Sequence, residues 1–494
     1  MNIINKSTAV RMFCGLLAVL TVAGFAACGG KDGETVDSTG TQTDTAESAT
    51  EVTETEYIPE YKDFGGRKVT ILRPQERYYD VAEEQNGEVV NDAIFTRDSK
   101  LSEMFGVTFE NVLMTDGWDT RAQYNGHIAS VVQAGDPTYD YIYGIEVCTI
   151  DTLSTGYFFN LLEYDELKLE NEWWLGEQAK TLGLAGKLYG VFGASTLDIY
   201  KEIAILFANT AILTNNGIDL PYKSVLAGSW TVDEFMNNAI TCTADLNGDG
   251  VYKITDDIIG SVGRHTSARS WQGSLDIQIL DLDKNGEIVF YGMTDRLAKA
   301  VDITADFFAS GSIYSVIDAN DIGNLNAFAS GNVLYYCERL IQSELLRDME
   351  DDFAIIPLPK LDESQENYIT QGATATCMIL IPVTASDPNM SAMIMEASTY
   401  YGWGDILPKY YEVALKEKFL RDANNKQVLD MVTDSIRFNI TFAYCNAIGG
   451  DPWPNQVWIT STLNGRDPAS SVAANEAKWL GNIEKIIEQY KQLP

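Results

Sequence analysis

The stretch that decides the fold runs from residue 67 to residue 144. It reads RKVTILRP (67–74), NDAIFTRDSKLSEMFG (91–106), VTFENVLM (107–114) and NGHIASVVQAGDPTYDYIYG (125–144). The first segment is a short β-rich run. In the second, Ala93, Ile94, Leu101, Met104 and Phe105 recur at helical spacing, and Gly106 is placed to cap the end. VTFENVLM is a second strand. The fourth segment is a helix, a turn at Gly135-Asp136-Pro137, and a third strand through Tyr141 to Tyr143. Strand, helix, strand, helix, strand is the signature of a parallel α/β sheet. Ligands on such sheets sit outside the carboxyl ends of the strands, which points to the loops at 75–80 and 144–148.

Outward from this segment, the bounds are broad. The 494 residues are 45% hydrophobic, enough to bury two or three domains' worth of core. Acids outnumber bases 71 to 35, a formal net charge of -36, so phosphate backbones and anionic lipid heads are repelled and no nucleic-acid partner is expected. At the start, Lys6 and Arg11 precede the apolar run MFCGLLAVLTVAGFAA (12–27), which is short for a membrane span but suits a signal-peptide core. It ends in Phe25-Ala26-Ala27-Cys28, which resembles a bacterial lipobox with Phe25 where Leu is usual. That resemblance implies a signal peptide over 1–27 and a lipidated Cys28, and several acyl chains on one Cys anchor durably. Residues 28–62 are dominated by Thr, Ser, Gly, Asp and Glu without apolar periodicity, so they read as an acidic, disordered tether. A flexible coil of about 33 residues reaches roughly 30 Å. The expected location is the extracellular face of the bacterial cytoplasmic membrane. The five other cysteines outside the leader, Cys148, Cys242, Cys337, Cys377 and Cys445, are scattered and show no CxxC spacing, so they read as small buried hydrophobes. One disulfide among them stays open.

DLNGDGVYKITD (245–256) carries the most explicit chemistry. Asp245, Asn247 and Asp249 supply oxygens at positions one, three and five of a calcium-type loop, Gly250 allows the turn at six, Val251 offers its carbonyl, and Asp256 closes at twelve. Asp there is shorter than the usual Glu and should bind more weakly. The competing reading is an acidic Asn/Gly turn with no ion. A single loop of this kind suits a structural Ca2+ and not a sensor. A second acidic stretch, DLDKNGEIVFYG (281–292), breaks the pattern at Gly292 and reads as a hairpin turning at Asn285-Gly286.

The order of segments resembles a family. YDYIYG, LLEYDEL (161–167), GKLYGVFGASTLDIYKEIAILFANTAILTNNGID (186–219) and GSWTVDEFMNNAITCTADLNGDG (228–250) look like an extracellular solute-binding protein of an ABC importer, of the type that binds sugars and oligosaccharides. FYGMTDRLAKAVDITADFFASG (290–311), NAFASGNVLYYCERL (326–340) and FAIIPLPKLDE (353–363) follow in the same order, so the likeness covers about residue 67 to the end. The resemblance implies an α/β, two-lobed periplasmic-binding-protein-like fold with hinge segments and an interlobe cleft. It also implies calcium in the acidic loop, a carbohydrate ligand, ABC permease partners and a monomer. On this reading the chain crosses between lobes near 191–195, 353–358 and 404–411. The N-terminal lobe is then 63–190 completed by about 359–403, and the C-terminal lobe is 191–358 completed by about 404–494.

Enzyme readings find little support. Two histidines, His127 and His265, leave little for a triad or a zinc site, and no G-x-S-x-G, H-E-x-x-H or P-loop occurs. A glycosidase carboxylate pair could hide among 71 acids, although the segment order argues against it. Two non-enzymatic readings stand beside sugar import: a glycan-binding surface sensor or adhesin, and a peptide- or amino-acid-binding importer subunit. Sugar sites need flat aromatic faces and polar groups for hydroxyls. Tyr78, Tyr79 and Asp80 follow the first strand, and Tyr143 and Glu146 lie at the third. Tyr200 and Glu202 lie past the first crossing, followed by Trp271 in SARSWQGS, Glu338 and Arg339 in YYCERL, and Trp403 and Asp405 near the last crossing. Trp173, Trp174 and Trp230 read as core.

Overall fold

The computed structural model describes residues 57–310, 314–316, 321–372, 375–416 and 423–494. The leader, the lipidation candidate Cys28 and the tether up to residue 56 lie outside the described residues. The side chains of Tyr78, Tyr79 and His265 lie outside them too.

The 67–144 segment folds as its pattern demands. Strand Arg67–Pro74 pairs in parallel with Val107–Met114, from Arg67 opposite Val107 to Pro74 opposite Met114, and with Tyr141–Ile145 on its other side. The run from Val69 to Pro74 is buried on both faces, as expected for a strand covered by helices front and back. Helix Val89–Phe105 turns Ile94, Arg97, Leu101 and Phe105 inward and stops at Gly106, whose φ of 58° is left-handed. A Cβ at Gly106 would stand 2.0 Å from the Asp63 carboxylate, so the position needs glycine twice over. Cys377–Leu380 adds an antiparallel edge, giving the order 377–380, 141–145, 67–74, 107–114.

A second sheet has the order 353–356, 204–209, 333–339, 259–263, 314–316. Val333–Arg339 and Ile259–Gly263 run parallel, and Ala204–Asn209 and Phe353–Ile356 complete the mixed sheet. Its core is aromatic: Trp230, Phe235, Trp271, Phe307, Phe308, Tyr335 and Trp458 are buried and pack ring to ring. The expected hairpin forms between Leu280–Leu282 and Ile288–Phe290. Both sheets belong to one unit, Ile58–Pro494.

The second crossing lies later than the sequence suggests. Phe353–Ile356 is a strand of the second sheet, and Lys360 still bridges to Thr231 there. Thr370–Gln371 pairs with Ile436–Arg437, and the chain enters the first sheet only at Cys377. The apolar run FAII marks a buried strand and not a passage. Near 404–411, helix Pro388–Tyr401 continues through a π-turn at Gly402–Ile406 into Leu407–Lys416. Cys148, Cys242, Cys337, Cys377 and Cys445 are all buried free thiols, so no disulfide forms among them. Among the described residues no helix is long and apolar enough to cross a membrane.

Candidate functional site

The carboxyl ends of both sheets meet the segment 195–202. On the first-sheet side, Tyr143 donates its hydroxyl to Ser195 Oγ at 3.0 Å, and Asp80 Oδ1 accepts the Leu197 N–H at 3.2 Å. Arg77, just past the first strand, lies 3.4 Å from Asp198 and 3.5 Å from Glu202. On the second-sheet side, Arg339 reaches Glu202 at 2.9 Å and Glu338 at 3.0 Å. Arg264, at the end of Ile259–Gly263, faces Glu338 at 3.9 Å. Arg77, Glu202, Arg339, Glu338 and Arg264 therefore form one chain of alternating charge from one sheet to the other. Glu202 and Glu338 are only 1% and 0% exposed. Burial works against the charge on Arg339, and the two glutamates overcome it and hold the guanidinium above its ordinary range.

Beside this chain stand buried acceptors with nothing to accept from. Among the described residues, Asp80 Oδ2, Asp116 Oδ1, Asn125 Oδ1 and Glu146 Oε1 have no hydrogen-bond partner. Desolvation pushes the Asp80 carboxyl up to about 7, with the charge of Asp198 adding to it. Desolvation likewise takes Asp116 to about 7, although its other oxygen accepts the Ile145 N–H at 2.9 Å. Glu146 is held well above the carboxylate range by burial, with Asp151 adding to it. Unpaired buried oxygens are costly unless a ligand, an ion or water satisfies them.

Two indoles complete the set. Trp118, 44% exposed past the second strand, lies 6.5 Å from the ring of Trp453, which comes from the loop after Cys445–Ile448. Arg121 covers a face of Trp118 at 3.9 Å, and Arg269 covers Trp453 at 5.0 Å.

The sequence candidates divide. Asp80, Tyr143, Glu146, Glu202, Glu338 and Arg339 belong to this region. Tyr200 is buried with its ring edge-on to Tyr411. Trp403 packs against Trp173, and Asp405 is exposed on the same π-turn. Trp271 is fully buried between Phe235, Phe308 and Trp458 in the second core, so its ring faces no cleft. Trp173 and Trp174 each donate an indole N–H to the buried Glu396, and Trp230 donates to Pro357 O, all in the interior. Sequence reasoning missed Arg77, Asp116, Trp118, Asp198 and Trp453. The strand-end rule held the signal for Asp116 and Trp118, since it applies to the loop after the second strand as well.

The acidic loop is held together internally. Asp245 accepts the N–H groups of Gly248 and Gly250, Asn247 that of Asp249, and Asp249 that of Val251. Lys253 places its ammonium 3.7 Å from Asp249 and 3.9 Å from Asp256. Among the described residues no three His, Cys, Asp or Glu side chains converge as a metal cage.

No family model matches the chain. No curated protein matches it either. Solved structures do. The GacH receptor of Streptomyces glaucescens, studied unliganded and with acarbose, aligns over 87% of this chain and 100% of its own, with a TM-score of 0.53 and 14% identity. The galacto-N-biose-/lacto-N-biose I-binding protein of the ABC transporter from Bifidobacterium longum covers 86% of this chain and 99% of its own, with a TM-score of 0.55 and 12% identity. An ABC substrate-binding protein from Listeria monocytogenes, in complex with cycloalternan, covers 85% and 99%, with a TM-score of 0.54 and 11% identity. The chain has the solute-binding-protein fold. The charged chain bridges the two sheets of that fold, from Arg77 past the first sheet's strand Arg67–Pro74 to Arg264 at the end of the second sheet's Ile259–Gly263.

Proposed function

We propose that this protein captures a carbohydrate, in the first instance an oligosaccharide, between its lobes and delivers it to an ABC permease, without catalysing a reaction on it. The observation that carries this reading is the convergence of partnerless buried acceptors with the Trp118–Trp453 pair. Hydroxyl-rich rings supply donors to the former and apolar C–H faces to the latter. The solved structures of the same fold hold acarbose, cycloalternan and lacto-N-biose, which supports the ligand class. Calorimetry of the mature protein against a panel of neutral oligosaccharides tests it. A saccharide should bind, and Trp453→Ala and Glu146→Gln should each weaken it by roughly tenfold or more. Silence across the panel, or wild-type affinity in both variants, defeats the proposal.

Anchoring by a lipidated Cys28 belongs to the same reading and rests on the leader and lipobox alone. Cys28→Ser should leave the membrane pellet without change in sugar affinity, and persistence in the salt-washed pellet counts against it. Calcium in 245–256 rests on residue types. As folded here, Lys253 occupies the position a cation would contest.

A further inference from the structure

A cavity of 420 Å³ lies apart from the interlobe set and shares no lining residue with it. Four chain segments build it. Gln178 comes from the 3-10 turn Gly176–Lys180, and 273–281 from the end of helix His265–Ser274 and the strand beyond. Residues 365–371 lead into the second crossing, and 437–439 run from the last residue of the strand paired with Thr370–Gln371. The Phe438 N–H donates to Gln178 Oε1 at 3.0 Å, so the cavity is tied across from one segment to another.

Its polar groups fall into two kinds. Some only hold the walls: Gln365 Oε1 accepts from Arg296 and from Leu361 N–H, and its amide donates to Ser274 O. Others have capacity left over. Gln178 spends only its oxygen, and Asn439 only its oxygen, on Thr441 and Phe442. The side chains of Gln278 and Asn367 make no hydrogen bond within the described residues. A side-chain amide sets a donor and an acceptor in one plane, which matches neighbouring hydroxyls on a ring. The charges exclude anions: Asp276, Asp281 and Glu366 line the space against Arg437 alone, whose guanidinium already donates to Asp434 O and Ile436 O. Phe438 contributes an apolar wall, with one face already stacked on Phe192. The volume is at the small end for ligand pockets, room for a ligand of one or two rings.

We propose that this cavity is a second site, for a small neutral saccharide. A sugar bound there touches both Gln178 and the paired strands at the crossing, so it stabilises one arrangement of the crossings and is coupled to cleft occupancy in both directions.

The test uses the mature protein with maltose and lacto-N-biose, in calorimetry and in soaked crystals. Two binding phases are expected, with sugar density in the cavity. The Gln278→Ala/Asn367→Ala variant should lose the weaker phase, at least about tenfold in Kd, and keep the stronger. Trp453→Ala should do the reverse. A single phase removed by Trp453→Ala overturns the second site and leaves the carbohydrate reading intact. Density without a second phase, binding at crystal concentration only, also overturns it. Absence of any phase defeats both readings. A weaker phase unmoved in the double variant places the second sugar elsewhere and overturns the assignment.

Discussion

Asp116 shows what this site asks of a single residue. One carboxyl oxygen accepts the Ile145 N–H and lies 3.4 Å from the Thr149 hydroxyl; the other accepts nothing. Burial takes the group from an ordinary 3.8 to about 7. Between those values the folded protein binds a proton that the unfolded chain has released, so stability falls as pH rises from about 4 to about 7. Asp116→Asn removes that slope and should be more stable than wild type at pH 7.5, by about 1–3 kcal/mol. Denaturant midpoints across that range check it, and a parallel pH dependence in the two proteins defeats the account. Trp271 teaches a different lesson. The sequence reading places it among the cleft-lining aromatics. The helix His265–Ser274 instead buries its whole last stretch, Ser270, Gln272 and Ser274 with Trp271, and contacts distant in sequence decide it. Trp271→Ala should therefore cost about 3–5 kcal/mol of stability and leave the Kd of the folded protein unchanged. Thermal melts paired with calorimetry separate the two effects; a loss of affinity at full folded population would bring the indole back to the ligand.

At the scale of elements, legibility follows how local the cause is. The first sheet could be read because its strands are short β-rich runs and the helix between the first two carries its own caps at Glu88 and Gly106. The second crossing could not, because the sequence between 371 and 377 has no periodicity, while FAII just before it advertises a strand that merely completes the second sheet. Trp453 was equally hidden, since nothing local in DPWPN says that the loop meets the first lobe. The acidic loop is the reverse case, fully legible as a pattern. Its backbone is already fastened by Asp245, Asn247 and Asp249, and Lys253 sits against the acids that would close a calcium shell. If calcium binds, it must displace that ammonium, so Lys253→Ala should raise calcium affinity by removing a like-charged competitor. Chelator should lower the Tm of wild type and leave Asp249→Ala unmoved, because a cation bound only to the native state stabilises by mass action. Equal chelator responses, or weaker binding in Lys253→Ala, would leave a turn held by its own hydrogen bonds.

At the scale of the molecule, two sheets present their carboxyl ends to each other, and Glu202 is the pivot between them. It lies within 3.5 Å of Arg77 from the first lobe and 2.9 Å of Arg339 from the second, at 1% exposure. Exchanging it for a neutral group takes one carboxylate from each of two guanidinium groups, leaving Arg77 with Asp198 and Arg339 with Glu338. Removing one partner of a buried ion pair costs about 3–5 kcal/mol, and here much of that cost falls on the closed arrangement. Opening the lobes returns both arginines to water, so the open form escapes it. Glu202→Gln should therefore weaken sugar binding by more than tenfold and shift the liganded protein toward a larger radius of gyration in solution scattering. Arg264→Ala, at the far end of the same chain, should do far less, since Arg339 still engages Glu338 at 3.0 Å. If Glu202→Gln instead loses thermal stability while keeping both its affinity and its closed scattering profile, the charged chain is a brace within the fold and lobe closure is set elsewhere.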